Sequence, residues 1–214
     1  MDCERRIVSK RGGSSRNACG SLRRPVNVRE LRQRFLIVCG GEKTERNYFD
    51  AFRMPTVKVK VVAIARSPIE VVEGAHQKLL EERRRDQQYD QVWCVFDRDD
   101  FPGQDFNDAI TKAAKYRIRV AYSNEAFELW YLLHFRYSDA ALSRRDYIDR
   151  LHALLGHEYA KNSETMYSEL ERFMPDALKN AERLLTRYEP ANPANDNPST
   201  TVHLLVAQLL RFGR

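Results

Sequence analysis

The sequence predicts an α/β fold: a parallel sheet of about four strands flanked by helices, with a helical C-terminal extension. Three observations carry this. The apolar runs Phe35–Cys39 and Val92–Phe96 are continuous rather than alternating, as in strands buried on both faces. Strand-like and helix-like segments then alternate through residue 135, the pattern of a helix-covered sheet joined by right-handed crossovers. Beyond Phe135 the helical signals continue and the strand signals stop.

The elements follow in order. After Phe35–Cys39, Gly40-Gly41 turns the chain. Thr44 can cap a helix to about Arg53, with Tyr48, Phe49 and Phe52 facing inward. Val57–Ala65 reads as a strand. Ser67-Pro68 opens a helix to about Arg85, since Ser caps and Pro suits the first helical position. Gln91–Phe96 is the next buried strand, Asp105–Tyr116 a helix, Ile118–Tyr122 a strand and Ala126–Phe135 a short apolar helix. Ser143 caps a helix that Gly156 ends, and helices are expected near 164–173, 175–188 and 201–212. The proline- and asparagine-rich segment 189–200 reads as a loop. The expected organisation is a basic, disordered arm over 1–33, an α/β core over 34–136 and a helical extension over 137–214 packed on it.

The chain has 214 residues, 43% of them hydrophobic, enough for one ordinary domain with a real core. No apolar run approaches a membrane span, and the start, MDCERRIVSK, lacks an apolar signal region. Cys39 and Cys94 lie in strand-like runs, where free thiols pack as small hydrophobes. A cytoplasmic protein without a membrane partner is expected. The net charge is +6, but residues 1–34 alone hold ten Lys or Arg against Asp2, Glu4 and Glu30. The body is nearly neutral. An arginine-rich arm suits phosphate backbones, and a solvated leader is an equally good reading.

Candidate chemistry gathers at strand ends. Asp97-Arg98-Asp99-Asp100 follows the most apolar run. In extended chain, residues two apart face one way, so Asp97 and Asp99 can aim both carboxylates at one Mg²⁺ or Mn²⁺. Such an ion would serve phosphodiester chemistry; a solvated acidic turn is the bland alternative. Gly40-Gly41-Glu42-Lys43-Thr44 is not a P-loop, because Glu42 stands where glycine must precede the lysine. Its backbone N–H groups, at Gly41 for example, and the Lys43 ammonium can still meet an anion. Glu128 sits among Phe127, Leu129 and Trp130, where a carboxylate needs a partner. In open parallel sheets, functional groups gather beyond the carboxyl ends of the strands, and all three segments lie there. His134 ends the Glu128 helix and reads as structural, and no Ser-His-Asp set can be assembled.

Four segments in order, Val38–Phe49 (VCGGEKTERNYF), Val95–Asp100 (VFDRDD), Ser123–Phe135 (SNEAFELWYLLHF) and Asn197–Val206 (NPSTTVHLLV), resemble the RloB-like family over roughly Arg34 to Phe212. The family comprises bacterial proteins found near restriction and phage-defence genes. It is similar to the topoisomerase–primase (Toprim) fold and to nucleases of the overcoming-lysogenization-defect type. The resemblance implies a metal-dependent nuclease acting on RNA or DNA in antiphage defence, of the abortive-infection kind, with an ATPase partner and self-association as further possibilities. It implies that Asp97, Asp99 and Glu128 hold Mg²⁺ or Mn²⁺, with Glu42 or water handling protons and Gly41, Lys43 and Arg98 meeting phosphates. One departure matters: the family pattern Cys-Glu-Gly-Glu-Lys-Thr-Glu has its first glutamate replaced by Gly40. A positioned proton-transfer group typically contributes about 10²–10⁴-fold. The alternative is therefore a weakened or inactive relative that binds nucleic acid or an ATPase partner.

Overall fold

Two strands buried on both faces, lying side by side, organise the chain. The computed structural model describes residues 33–64 and 66–213; of the predicted arm only Gln33 falls among them, and it begins the first strand. That strand, β1 (Gln33–Cys39), is fully buried from Phe35 to Cys39. It pairs in parallel with β2 (Val57–Ala63) on one side and β3 (Gln91–Asp97) on the other. β4 (Arg119–Asn124) adds in parallel to β3. The sheet order is β2-β1-β3-β4-β5.

The fifth strand departs from expectation. β5 (Ser199–Thr200) pairs antiparallel with β4, Ser123 opposite Thr200, inside the segment read as a loop. Two residues after a proline carry no periodicity, so no sequence pattern marks it. Its anchor is polar: the buried Thr200 hydroxyl donates to the Tyr122 carbonyl, 2.9 Å away. Other differences are at element ends, where helices fray and assignments shift by a residue or two.

Alternation along β1 divides the core. Leu36 and Val38 face α2 (Pro68–Arg84) and α3 (Gly103–Lys115), joined by Val72, Phe106 and Ala109. Phe35, Ile37 and Cys39 face α1 (Thr44–Asp50), α4 (Glu128–Phe135) and α8 (Val202–Phe212). Behind these lie α5 (Arg144–Leu155), α6 (Met166–Leu170) and α7 (Met174–Leu185), whose Tyr147, Leu170 and Leu184 complete the same cluster. Caps set the helix ends as the residues demand. Ser67 and Glu70 form a reciprocal capping box on α2, Ser143 and Asp146 another on α5, and Gly156 ends α5 at φ 76°.

The connections leave β1 and β3 in opposite directions, β1 to β2 through α1 and β3 to β4 through α3, so a single crossover hand puts the two helices on opposite faces. The chain therefore parts between the carboxyl ends of β1 and β3. That topological switch point is where open α/β sheets form their ligand crevice.

Burial holds the His134 and His203 imidazoles down at about 4. A ring neutral in the fold but charged from 6.5 downward in the unfolded chain weakens the fold as pH falls from 6.5 toward 4; above 6.5 its contribution is intact. At pH 5 the loss is about 2 kcal/mol per ring. Urea melts at pH 7 and pH 5 should show a smaller loss in His203→Gln than in the parent, and equal losses would exclude that ring as a cause.

Candidate active site

The switch-point crevice is a cleft of about 660 Å³. It is lined from β1 and its turn by Gly40, Gly41, Glu42, Lys43 and Glu45, and from the end of β3 by Asp97 and Asp99. α4 supplies Glu128, and the C-terminal half supplies Arg144 and Lys161. Segments nearly 120 residues apart in the chain thus meet at one sheet end.

Asp97 is the centre of it. Its Oδ2 accepts from the Phe127 N–H at 3.0 Å, at the start of α4, while its Oδ1 is buried without a hydrogen-bond partner. Burial, then the nearby Glu45 and Glu128 charges, push its carboxyl well above the ordinary range; the Phe127 N–H and Arg144 pull the other way. Burial likewise raises Glu45, with Glu128 adding to it. Glu128 is buried and accepts from the Tyr159 hydroxyl at 3.1 Å. Three carboxylates therefore share a low-dielectric pocket; Arg144 is placed against Asp97 and Glu45, and Lys161 also acts on Glu45.

Arg144 begins α5. Its Nη2 contacts Asp99 Oδ1 and lies 3.7 Å from Asp97 Oδ2. Asp97 and Asp99 do converge, but not by strand alternation. Asp99 has left the strand and sits at φ 42°, in the left-handed region that Asp tolerates better than most residues. The Arg98 and Asp99 N–H groups donate to the Ser123 and Glu125 carbonyls, at 2.8 and 3.2 Å, which fixes this turn.

The structure places Arg98 outside the cleft and Glu42 at its rim. Arg98 does not line the cleft; its guanidinium holds the Asp99 and Phe101 carbonyls and so braces the acidic turn. Glu42 stays exposed at the rim, in the bend before α1. Lys43 is likewise at the rim, and Gly41 lies in the wall.

The glutamate of that segment that enters the cleft is Glu45, 6% exposed. Gly41 makes room for it: a Cβ on Gly41 would stand 2.0 Å from Glu45 Oε2. The sequence does hold a signal for this residue. Glu45 shares the inward stripe of Tyr48, Phe49 and Phe52, and an acid on an apolar stripe needs a reason. Arg144 has a weaker signal, a basic first turn set against the helix dipole. Lys161 has none. Its segment is brought in by hydrogen bonds, from the Thr44 hydroxyl to the Lys161 carbonyl at 3.0 Å and from Asn47 Nδ2 to the Asn162 carbonyl at 3.0 Å.

Gly40 is close-packed as well. Its N–H donates to the Val95 carbonyl at 2.7 Å, and a Cβ there would meet Phe96 Cβ at 3.2 Å. A side chain at this position therefore requires β3 to yield by a few tenths of an ångström.

Among the described residues, no three His, Cys, Asp or Glu side chains are already spaced as a metal cage. The donor chemistry nevertheless fits a hard divalent cation: an unpartnered Asp97 oxygen, with Asp99, Glu45 and Glu128 lining the same cleft. Arg144 stands against both Asp97 and Asp99.

Gly41→Ala should push the Glu45 carboxylate out of the cleft. In a double-mutant cycle of melts with Glu45→Ala, the two changes should couple by about 1 kcal/mol; strictly additive losses would show that the carboxylate does not rest on Gly41.

A family model described as RloB-like protein matches residues 35–209. No curated protein matches the chain.

Proposed function

The chain belongs to the RloB-like family, and from that premise we propose that it is a divalent-metal-dependent nuclease of Toprim type, cutting nucleic-acid phosphodiesters in antiphage defence. The observation that carries this reading is the buried, unpartnered oxygen of Asp97 beside two further buried carboxylates, at the switch point of a parallel sheet. Mg²⁺ or Mn²⁺ would neutralise charge on the phosphate and make its bound water more acidic. Asp97 and Asp99 would hold the ion, with Glu128 oriented toward it by the Tyr159 hydroxyl.

Glu45 takes the role first expected of Glu42. A buried carboxyl whose proton affinity is raised toward neutral pH is suited to accept a proton from attacking water and return it to the leaving oxygen. Lys43 and Lys161, exposed at the mouth, would meet flanking phosphates. Arg144, which lines the cleft beside Asp97 and Asp99, would offer its guanidinium to the transferring phosphate, a planar fork that matches phosphate oxygens.

One observation favours a second reading, binding without cleavage. Arg144 already neutralises the acidic pair, and Gly40 has no acid to offer. In that case nucleic acid or an ATPase partner would be held and not cut, and co-purification with a defence-operon ATPase would mark the partner-binding form.

Cleavage of tRNA, single-stranded DNA and plasmid DNA in Mg²⁺ or Mn²⁺ decides between them. The parent should cut at least one substrate, EDTA should stop it, and Asp97→Asn and Glu45→Gln should both be silent. Unchanged cutting by Asp97→Asn would remove the assignment. Arg144→Gln tests the competition separately: Mg²⁺ should raise its melting temperature more than the parent's, and equal shifts would show that the guanidinium does not occupy the ion's place.

A further inference from the structure

A second cleft lies at the opposite end of the same sheet, about 520 Å³ in volume, at the amino ends of β3 and β4 and the carboxyl ends of α2 and α3. Its chemistry is the reverse of the first. Arg83, Lys115, Arg117 and Arg119 line it, and Asp90 is the one acid in its wall. The Asp90 carboxylate is already engaged, accepting from the Arg34 N–H at 2.8 Å. Among the described residues, Arg83, Lys115 and Arg117 take part in no ion pair, whereas the neighbouring Arg85 and Lys112 do.

Helix ends favour cations, which accounts for Arg83 and Lys115 in the last turns of α2 and α3. It does not account for Arg117 and Arg119, which lie beyond α3. Arg117 is held at φ 57°, where glycine or asparagine is the ordinary choice, so charge is kept there against backbone preference. Arg119 is fixed in place, its Nη1 donating to Gln91 Oε1 at 2.9 Å and its guanidinium 5.4 Å from the centre of the Trp93 ring. The wall also carries a flat aromatic pair, His76 and Tyr116, stacked with centroids 3.9 Å apart and 7° between planes. Cations held ready beside aromatic faces are what a phosphate backbone with unpaired bases requires.

We infer that this cleft is a second nucleic-acid contact, gripping the backbone of the strand whose phosphodiester lies at the acidic cleft. The inference rests on the function proposed above. The two clefts sit at opposite ends of the seven-residue β3, about 20 Å apart along the strand. At about 3.4 Å per nucleotide, that distance corresponds to about six nucleotides of a stacked strand.

The test uses the full chain in EDTA, with a fluorescein-labelled 30-nucleotide RNA and the DNA of the same sequence, titrated across KCl concentrations. Arg83→Gln/Lys115→Gln/Arg117→Asn should raise Kd by about tenfold or more for at least one strand. It should also lower the slope of log K against log salt by about 2, near 0.7 for each lost contact. Arg83→Lys/Arg117→Lys should bind as the parent does, which separates charge from fold. Parental affinity for both strands in the triple variant would overturn the inference, as would loss in the lysine variant equal to that in the triple. Asp97→Asn run alongside keeps the two proposals apart. If it cuts like the parent in Mg²⁺ while the triple variant loses affinity in EDTA, the acidic site is misassigned and the basic cleft stands. If the triple variant binds normally, the cleft falls whatever Asp97→Asn does.

Discussion

Three carboxylates kept out of water within one pocket set the problem around which this protein is built. Burial raises Asp97 and Glu45, and the neighbouring Glu128 charge adds to the cost of charging both. Partial answers come from the backbone, through the Phe127 N–H, and from Tyr159. The larger one is a cation from beyond the sheet half. Arg144 arrives from α5, and α5 in turn is held by Tyr147 and Leu151 in the same core cluster as β1 and α4. The helical C-terminal half is therefore part of the site's electrostatics, as well as a cover for one sheet face.

The same constraint explains the close fit around the β1 turn. With Gly40 against Phe96 and Gly41 against Glu45, the wall has no room for side chains of its own, and the acid must come from one helical turn further on. A helix gives that carboxylate a firmer mount than the bend holding Glu42, since Tyr48 and Phe49, its neighbours on the stripe, are locked in the aromatic cluster with Phe127 and Tyr131.

Much of this was legible in the residues. The continuous apolar runs marked β1 and β3, Ser67-Pro68 and Ser143 marked two helix starts, and the rule that ligands gather at carboxyl strand ends placed Asp97 and Glu128 in one crevice. Where the reading fell short, the cause was long-range. Strand alternation put Asp97 and Asp99 on one side for the wrong reason, because the left-handed turn at Asp99 depends on carbonyls of the chain after β4. Arg98 looked like a phosphate contact and proved to be a brace, since its partners are local carbonyls that spacing does not reveal. β5 was too short to carry a pattern. Lys161 was placed by hydrogen bonds 117 residues away in sequence from their donor.

That separation bears on synthesis. A ribosome releases β1 to β4 and the acids at their ends before it releases residues 144–163, so that acidic end exists for a time without its guanidinium and without the segment carrying Tyr159 and Lys161. Closing contacts across such long intervals is slow, because the chain must surrender loop entropy first. A chain truncated before residue 144 therefore has the four parallel strands without a finished centre. For a protein whose proposed target is as abundant in its own cell as in an invader, that delay separates making the chain from arming it.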